Sequence, residues 1–390
     1  MRFVNIICVK NRIVRYPVYM VRFFLYKVAM KTTLFTLFLA FTATSAQAFT
    51  YVSGHRPTER NRLQCGAVLT QNTSLSHDLD CRGMGGYALS IQGNGITLKG
   101  NGHTIFADAA NAGLYIQGSD VTVASVRVSG VKFGYGIYAY DSPNLKLVNN
   151  RLTGNQTGIL LTAENTTMSG LDIHHNESSH NSEFGLRTTQ TGSGTIVNPK
   201  ITCNDFSFSG SYAIYLQAEK AKLNRFSDNK LNSSNNGIYL KDGDFVIKDL
   251  SFKRADIRKA AIFADHARSV KITHVDASNR LAPNPNEEHT AVSLYEVRSI
   301  QINKLVADNQ DIGVLIATNE DQSSYGRIRH SSFVNNTVAG ICLRSIDGTP
   351  YQGLVISRNE FDEKTNDLEI VNQAKAPLEI DQRSGVVTLF

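Results

Sequence analysis

The chain has 390 residues, with 40 Lys plus Arg against 34 Asp plus Glu, 42% hydrophobic residues, no Trp and ordinary Gly and Pro content. This composition excludes collagen-like, disordered and polytopic membrane classes and leaves a soluble globular or repeat protein. The formal +6 makes no case for a nucleic-acid partner, because residues 1–48 hold seven basic and no acidic side chains; taking those seven from 40 leaves 33 against 34.

From Met30 the residues follow the order of a secretory signal. Lys31 is a short basic start, 34–43 is an apolar run, and Ala46-Gln47-Ala48 is a cleavage site of the A-x-A kind. The run is too short to span a bilayer. Residues 1–29 then read as a mis-assigned upstream extension, with translation starting at Met30, a signal peptide over 30–48 and an exported chain starting at Phe49. The alternative is a signal anchor lengthened by 18–29, which Arg22 and Lys27 interrupt. The expected location is periplasmic or secreted, with no membrane association once the signal is removed and a monomeric state.

Residues 49–86 are expected to form an N-terminal cap. Within it, Cys65 and Cys81 bracket a short apolar, turn-rich segment, a spacing that suits one disulfide in an oxidising compartment. Cys203 and Cys342 stand far apart in the repeat that follows and read as packing residues. No CxxC motif and no Cys/His zinc spacing is present.

Self-similarity then dominates the chain. A small residue followed by an alternating apolar strand recurs at Ala88, Gly113, Gly136, Gly158, Gly185, Ala213, Gly237, Ala261, Ala291, Gly313 and Gly340, at intervals of 25, 23, 22, 27, 28, 24, 24, 30, 22 and 27 residues. Variable spacing around a constant strand means a fixed core with loops of free length. Each interval continues with a polar turn, a second alternating strand, an Asn-containing bend and a short third strand. Three short strands per coil predict an all-β fold, a right-handed parallel β-helix of about 11–12 coils over 87–375, stacked at about 4.8 Å per coil. Residues 376–390 are expected to form a C-terminal cap. Asn150, Asn176, Asn204, Asn229 and Asn359 fall at the bend after the second strand, where inward amides can bond neighbours above and below. That ladder, rather than glycosylation, accounts for the Asn-x-Ser/Thr sequons.

The entry run CGAVLTQNTSLSHDLDC, then ALSIQGNGITLKGNGHTI and the repeated GIxL coils, resembles the pectate-lyase-like superfamily of parallel β-helix proteins. It is similar, more narrowly, to the carbohydrate-binding and sugar-hydrolase type of β-helix repeat in bacterial envelopes. The resemblance covers about 62–375 and implies a substrate groove floored by the first sheet. It does not specify an activity, because the superfamily includes lyases, hydrolases, epimerases, adhesins and accessory proteins.

Counting from the small residue of each coil, positions one and three are expected to face the core and two and four to face outward. Position two reads Ser90, Tyr115, Tyr138, Leu160, Arg187, Tyr215, Tyr239, Phe263, Ser293, Leu315 and Cys342. Position four adds hydrogen-bonding groups such as Gln217 and Lys241. An aromatic row beside amides and charges suits a polysaccharide partner, with rings stacking on sugar faces; rings stacking on one another for stability are the competing account. Expected substrate-binding residues are therefore Tyr115, Tyr138, Tyr215, Tyr239, Phe263 and Gln217. Arg187 suits a sugar carboxylate or a developing anion. Asp141, Lys241, Asp265 and His266, at the first turn, are candidates for acid or base chemistry.

The cluster Asp172, His174, His175, Glu177, His180 and Glu183 looks like a metal site by composition, but its register puts the two adjacent histidines on the second strand, away from the aromatic row. No metal is expected. No cofactor is expected either; calcium is compatible with the fold but has no motif here. The chain lacks the paired aspartates and Gly-His-Gly turn of polygalacturonases, the Asp-Pro-His-Asp motif of alginate epimerases and the Arg-x-Pro-x-x-Arg segment of pectate lyases. Long turns over 162–169, 189–199, 279–289, 318–326 and 345–353 are candidate groove walls, with 279–289 the best candidate flap. The expected function is polysaccharide binding on the first sheet, with lysis or epimerisation of a uronic-acid polymer favoured over hydrolysis because no carboxylate pair is evident. The competing class is a non-catalytic envelope accessory or interaction protein.

Overall fold

The computed structural model describes residues 63–389 except 225–228, 232–233, 253–255, 280–287, 319–323, 346–352, 363–367, 372–377 and 382–385. All of these belong to the unit Phe49–Phe390. The expected extension, signal peptide, first part of the cap and most of the proposed flap lie outside the described residues.

Among the described residues, thirteen parallel strands from Ala67–Leu69 to Leu368–Val371 form the first sheet of a parallel β-solenoid. Its strands begin where the recurring small residues stand. The reason is steric: a Cβ on Gly113 would lie 2.2 Å from Val128 Cγ1, and one on Gly136 would lie 2.7 Å from the Gly158 carbonyl oxygen. The next residue is the core knob. Leu89, Leu114, Ile137, Ile159, Leu186, Ile214, Ile238, Ile262, Val292, Val314 and Ile341 stack in one fully buried column, each contributing about 2 kcal/mol through burial.

Early coils have three strands, as in Thr122–Ala124 and Arg127–Ser129 after the first-sheet strand Ala112–Gln117. The later coils differ from the expected pattern, because second and third strands fuse into single strands Asp244–Ser251, Ser269–Asp276 and Ser299–Asp308. The residue at the bend explains this. In the early coils the Asn150 amide N–H bonds Asn176 Oδ1 at 3.0 Å, the Asn176 N–H bonds Asn204 Oδ1 at 2.9 Å, and the Asn204 N–H bonds Asn229 Oδ1 at 2.8 Å. Side chains thus interrupt the backbone ladder. In the fused coils that position is Leu250, Val275 and Leu305, which pair through their backbones. The strands separate again at Ser331, whose N–H bonds Asn359 Oδ1. At each of these corners a left-handed residue turns the chain: Asn149, His175, Cys203, Asp249, His274, Lys304, His330 and Arg358 all have φ between 53° and 57° or close to it, His330 being at 51°.

A second, shorter ladder closes the coil on the other side: the Val131 N–H bonds Asn155 Oδ1, and the Asn155 N–H bonds Asn181 Oδ1, both at 3.1 Å. At the N-terminal end Cys65 and Cys81 form a disulfide, with Cys81 buried in the core. At the other end Leu378–Asp381 and Val386–Leu389 pair antiparallel, and the latter pairs with Leu354–Ser357. Among the described residues no helix is long and apolar enough to cross a membrane.

Candidate functional site

The outward row of the first sheet is half-open from Tyr115 to Phe263, broken by Leu160. Tyr115, Tyr138, Arg187, Tyr215, Tyr239 and Phe263 are partly exposed. Ser90, Leu160, Ser293, Leu315 and Cys342, expected to face outward in the same row, are buried. Near the C-terminal end Glu288 pairs with Arg344 at 3.2 Å, reaching across Ile312–Thr318, the strand that carries Leu315. With these five side chains enclosed, the expectation of an outward row open along its full length is corrected.

The rings meet one another along the stack. Tyr215 and Tyr239 are parallel at 8° with centroids 4.6 Å apart, Tyr239 and Phe263 follow at 5.2 Å, and the Arg187 guanidinium lies 5.6 Å from the Tyr215 centroid. Ring faces are therefore taken up by neighbours, which gives the column cohesion. A chain lying on the row meets ring edges and phenolic oxygens more than the faces that the sequence reading assumed.

Four aromatics of this surface escape the sequence reading: Tyr87, Tyr135, Phe184 and Tyr212. Tyr87 stacks on Tyr115 at 4.3 Å, Tyr135 lies 5.4 Å from Tyr138, and Phe184 and Tyr212 lie 5.7 and 6.4 Å from Tyr215. Each directly precedes the small residue of its coil. Strict alternation counted from that residue would turn them inward. The small residue and its successor both face the core, so alternation slips by one and the preceding ring faces out. An aromatic before the small residue in four coils was the available signal.

The charged groups gather at the edge of the row, where three coils stack Lys241-Asp242, Asp265-His266 and Tyr295-Glu296. Lys241 pairs in register with Asp265, and Asp265 with Tyr295. His266 and Glu296 follow those strands in the left-handed region, with φ of 53° and 51°. His266 Nδ1 lies 2.5 Å from Asp265 Oδ1, and its Nε2 contacts Glu296 Oε2. The two carboxylates are mostly buried and the imidazole is half-exposed. The Tyr239 hydroxyl donates to Asp265 Oδ2 at 2.5 Å; burial and this bond push its phenol upward, so that it remains a donor. Burial and a hydrogen bond to Glu296 push Tyr295 the same way. Glu296 was not a candidate by sequence, since it lies 30 residues beyond His266 in the longest interval of the repeat.

The remaining predicted residues are placed as follows. Asp141 organises a turn: its carboxylate accepts from the backbone N–H of Glu164 at 2.8 Å, Asn165 at 3.2 Å and Thr166 at 3.3 Å, and from the Thr166 hydroxyl at 3.2 Å. Partial burial opposes ionisation, but these donors outweigh it and hold the carboxyl below its usual range. Gln217 donates through Nε2 to Asp242 Oδ2 at 2.9 Å. Arg187 stands three strands from Asp265 in the sheet order and is not brought to the His266 group. The histidine-rich cluster is dispersed: His174 and Lys200 bond Asp172 on the second sheet, His180 stacks on Phe208, and Glu183 accepts from Gln156. Among the described residues no group of three or more His, Cys, Asp or Glu could hold a metal. A shallow depression of about 420 Å³ at the second-sheet corner, lined by Asp249, His274, Lys304 and neighbours, contains none of the predicted residues.

The chain belongs to the right-handed β-helix family: the model of the right-handed beta helix region matches residues 65–207 and 197–375. Among solved structures it is similar to the catalytic domain of a GH87 α-1,3-glucanase variant in complex with tetrasaccharides, at 13% identity and a TM-score of 0.35, covering 78% of this chain and 60% of that one. A second variant of such a catalytic domain, in complex with nigerose, is similar at 11% identity and a TM-score of 0.22, covering 79% of this chain and 62% of that one. The chain thus spans about three-fifths of the solved domains it matches. No curated protein matches the sequence.

Proposed function

We propose that the protein is exported and binds an acidic polysaccharide along the first sheet, where Lys241, Asp265, His266 and Glu296 carry β-elimination or epimerisation at a uronic acid. The observation that carries this reading is His266, held between two carboxylates at the edge of a half-open aromatic row, with Lys241 one strand away. Both reactions begin with loss of the proton on the carbon next to the sugar carboxylate. A cation beside that carboxylate stabilises the charge that develops, and Lys241 is the nearest first-sheet cation in register with Asp265. The His266 ring in its singly protonated form takes that proton on one nitrogen while the other nitrogen keeps its N–H to a flanking carboxylate. In elimination the bond to the leaving sugar then breaks, its oxygen takes up a proton, and the product carries a conjugated double bond.

Hydrolysis needs two carboxyl groups on opposite sides of a glycosidic bond, with room between them for sugar or water. Asp265 and Glu296 are such a pair by chemistry, which the sequence did not reveal. The His266 ring fills the space between them, and this favours elimination or epimerisation over hydrolysis.

Export rests on the order of residues in 30–48 and on the Cys65–Cys81 bridge, which suits an oxidising compartment. N-terminal sequencing of the exported chain is expected to start at Phe49; a retained Met1 would overturn this part. For the activity, the mature chain is incubated with pectin, alginate and glycosaminoglycans while ultraviolet absorbance of unsaturated uronate and inversion at the sugar carbon by NMR are followed. A signal with one polymer, lost in His266→Ala and Lys241→Gln, is the expected result. Flat traces with all of them, together with no retention on a glycan array, would replace this reading with a non-catalytic interaction protein.

A further inference from the structure

Among the described residues, Arg187 has no hydrogen-bond acceptor. Its guanidinium packs beside two rings, 5.2 Å from the Phe184 centroid and 5.6 Å from that of Tyr215, and these rings meet each other edge to face at 5.7 Å, so both lie to one side of it. Its Nε is enclosed and makes no hydrogen bond, and no described residue accepts one from the group. Cation–π attraction to both rings offsets part of the cost of holding a charge there, but an enclosed donor left without an acceptor remains unfavourable. Both rings hold the guanidinium from one side, and the half-exposed side chain leaves its terminal nitrogens for a ligand on the other. Two N–H groups diverging in one plane match a carboxylate or another oxyanion.

Register gives this group its place relative to the proposed reaction site. Arg187 pairs with Tyr215, Tyr215 with Tyr239 and Tyr239 with Phe263, while Asp265 is two residues beyond Phe263 on the same strand. Three strand steps, about 14 Å along the stack, separate Arg187 from the His266 group, and two steps, about 10 Å, separate it from Lys241 on the strand of Tyr239. One sugar cannot bridge that distance. The positions between them are the uncharged rings of Tyr215, Tyr239 and Phe263.

We infer that Arg187 is a remote anion subsite, which grips the carboxylate of a sugar about two to three units along the same chain from the one beside Lys241 and His266. The inference rests on the proposed acidic polysaccharide and adds two properties to it. The glycan runs along the stacking axis, and acidic sugars recur in it often enough that one falls at Arg187. Binding therefore depends on chain length: a dimer at the His266 group cannot reach Arg187, whereas a tetramer or longer chain can.

The test uses size-defined oligogalacturonates and oligomannuronates, from dimer to hexamer, with a carboxyl-reduced hexamer of each, and reads Kd by calorimetry for the wild type, Arg187→Gln, Arg187→Lys and Lys241→Gln. Wild-type affinity is expected to rise about ten-fold between dimer and tetramer, in keeping with one charge-assisted contact. Arg187→Gln is expected to remove that step and leave dimer affinity unchanged. Arg187→Lys, which keeps the charge without the planar fork, should fall between the two and guards against a folding defect in the glutamine variant. Lys241→Gln should weaken every length, and the reduced hexamers should bind no better than the dimers. Equal loss at all lengths in Arg187→Gln, or no loss at any, would overturn the remote subsite while leaving acidic-glycan binding intact. Absence of wild-type binding to every acidic oligomer would instead overturn the proposed function, and this inference with it.

Discussion

The hydroxyl of Tyr239 donates to the carboxylate of Asp265 on the next strand at 2.5 Å, so one residue of the ring column also orders the charged edge. The Tyr239 ring is stacked between Tyr215 and Phe263. Its oxygen meets the carboxylate that faces His266. Column and edge are therefore one structure: the stack fixes the ring, the ring fixes Asp265, and Asp265 orients the imidazole.

Removing the hydroxyl alone tests that coupling. Tyr239→Phe keeps the stack and is expected to cost about 1 kcal/mol in urea denaturation, the net value of one hydrogen bond. Tyr239→Ala also removes the ring and is expected to cost about 2 kcal/mol or more, since a half-buried aromatic is lost from between two neighbours. Equal destabilisation by both variants would mean that the ring contributes nothing to the column.

The alkaline limb of stability follows from the same row. Burial beside Tyr87 and Tyr138 pushes the Tyr115 phenol up to about 12, and the hydrogen bond to Glu164 takes Tyr140 to about 12. Burial also raises Tyr138, Tyr212 and Tyr215. A raised folded value means that the folded chain holds the proton more tightly than the unfolded chain. The associated stability is complete below the ordinary tyrosine value of about 10 and is lost as pH rises towards the folded values. Phenolate absorbance at about pH 11 should therefore lag well behind that of the urea-unfolded chain. Superimposable titrations would show that these rings are not sheltered.

The fold was legible because its two determinants are local. A small residue is required where a Cβ would strike Val128 or the Gly158 carbonyl, and an Asn recurs where side chains replace backbone pairing. Even the fused strands had a written signal, since Leu250, Val275 and Leu305 occupy the Asn position. The site was legible only within single coils. Asp265 and His266 are neighbours in sequence, but Glu296 reaches His266 through the stacking of one coil on the next, across an interval whose loop length no local rule sets. Tyr87, Tyr135, Phe184 and Tyr212 were missed for another reason: strict alternation fails at a corner where two consecutive residues face inward.

Acid should reveal the role of Asp141. Partial burial opposes its ionisation, but bonds from Glu164, Asn165 and Thr166 prevail and hold the folded carboxyl below its usual range. A depressed folded value gives stability that is present above the unfolded value of about 4 and is lost as pH falls through the folded one. The melting temperature of the wild type is therefore expected to drop further between neutral pH and about pH 3 than that of Asp141→Asn, which is less stable at neutral pH but has no proton to gain. Parallel curves would indicate that the turn over 162–169 does not depend on the charge.

The Asn ladder makes the strongest stability prediction. Asn176 accepts from the backbone N–H of Asn150 at 3.0 Å and from its side chain at 2.9 Å. It donates to the carbonyl of Leu147 at 2.8 Å and to Asn204 Oδ1 at 3.0 Å. Asn176→Ala leaves a buried N–H and a buried carbonyl without partners in adjacent coils, at an expected cost of about 2–4 kcal/mol. Asn359 makes fewer such bonds, accepting from the Ser331 N–H and donating to the Ile328 carbonyl, and Asn359→Ala is expected to cost about half as much. Because each coil contacts mainly its neighbours, the loss at Asn176 should appear as a loosened central segment as well as a lower midpoint. Hydrogen exchange checks this: the backbone amides of Asn150 and Asn204 should exchange faster in Asn176→Ala, while those of Ile300 and Ile302 keep their rates. Uniform acceleration along the whole solenoid would show a single cooperative unit instead of coupled coils.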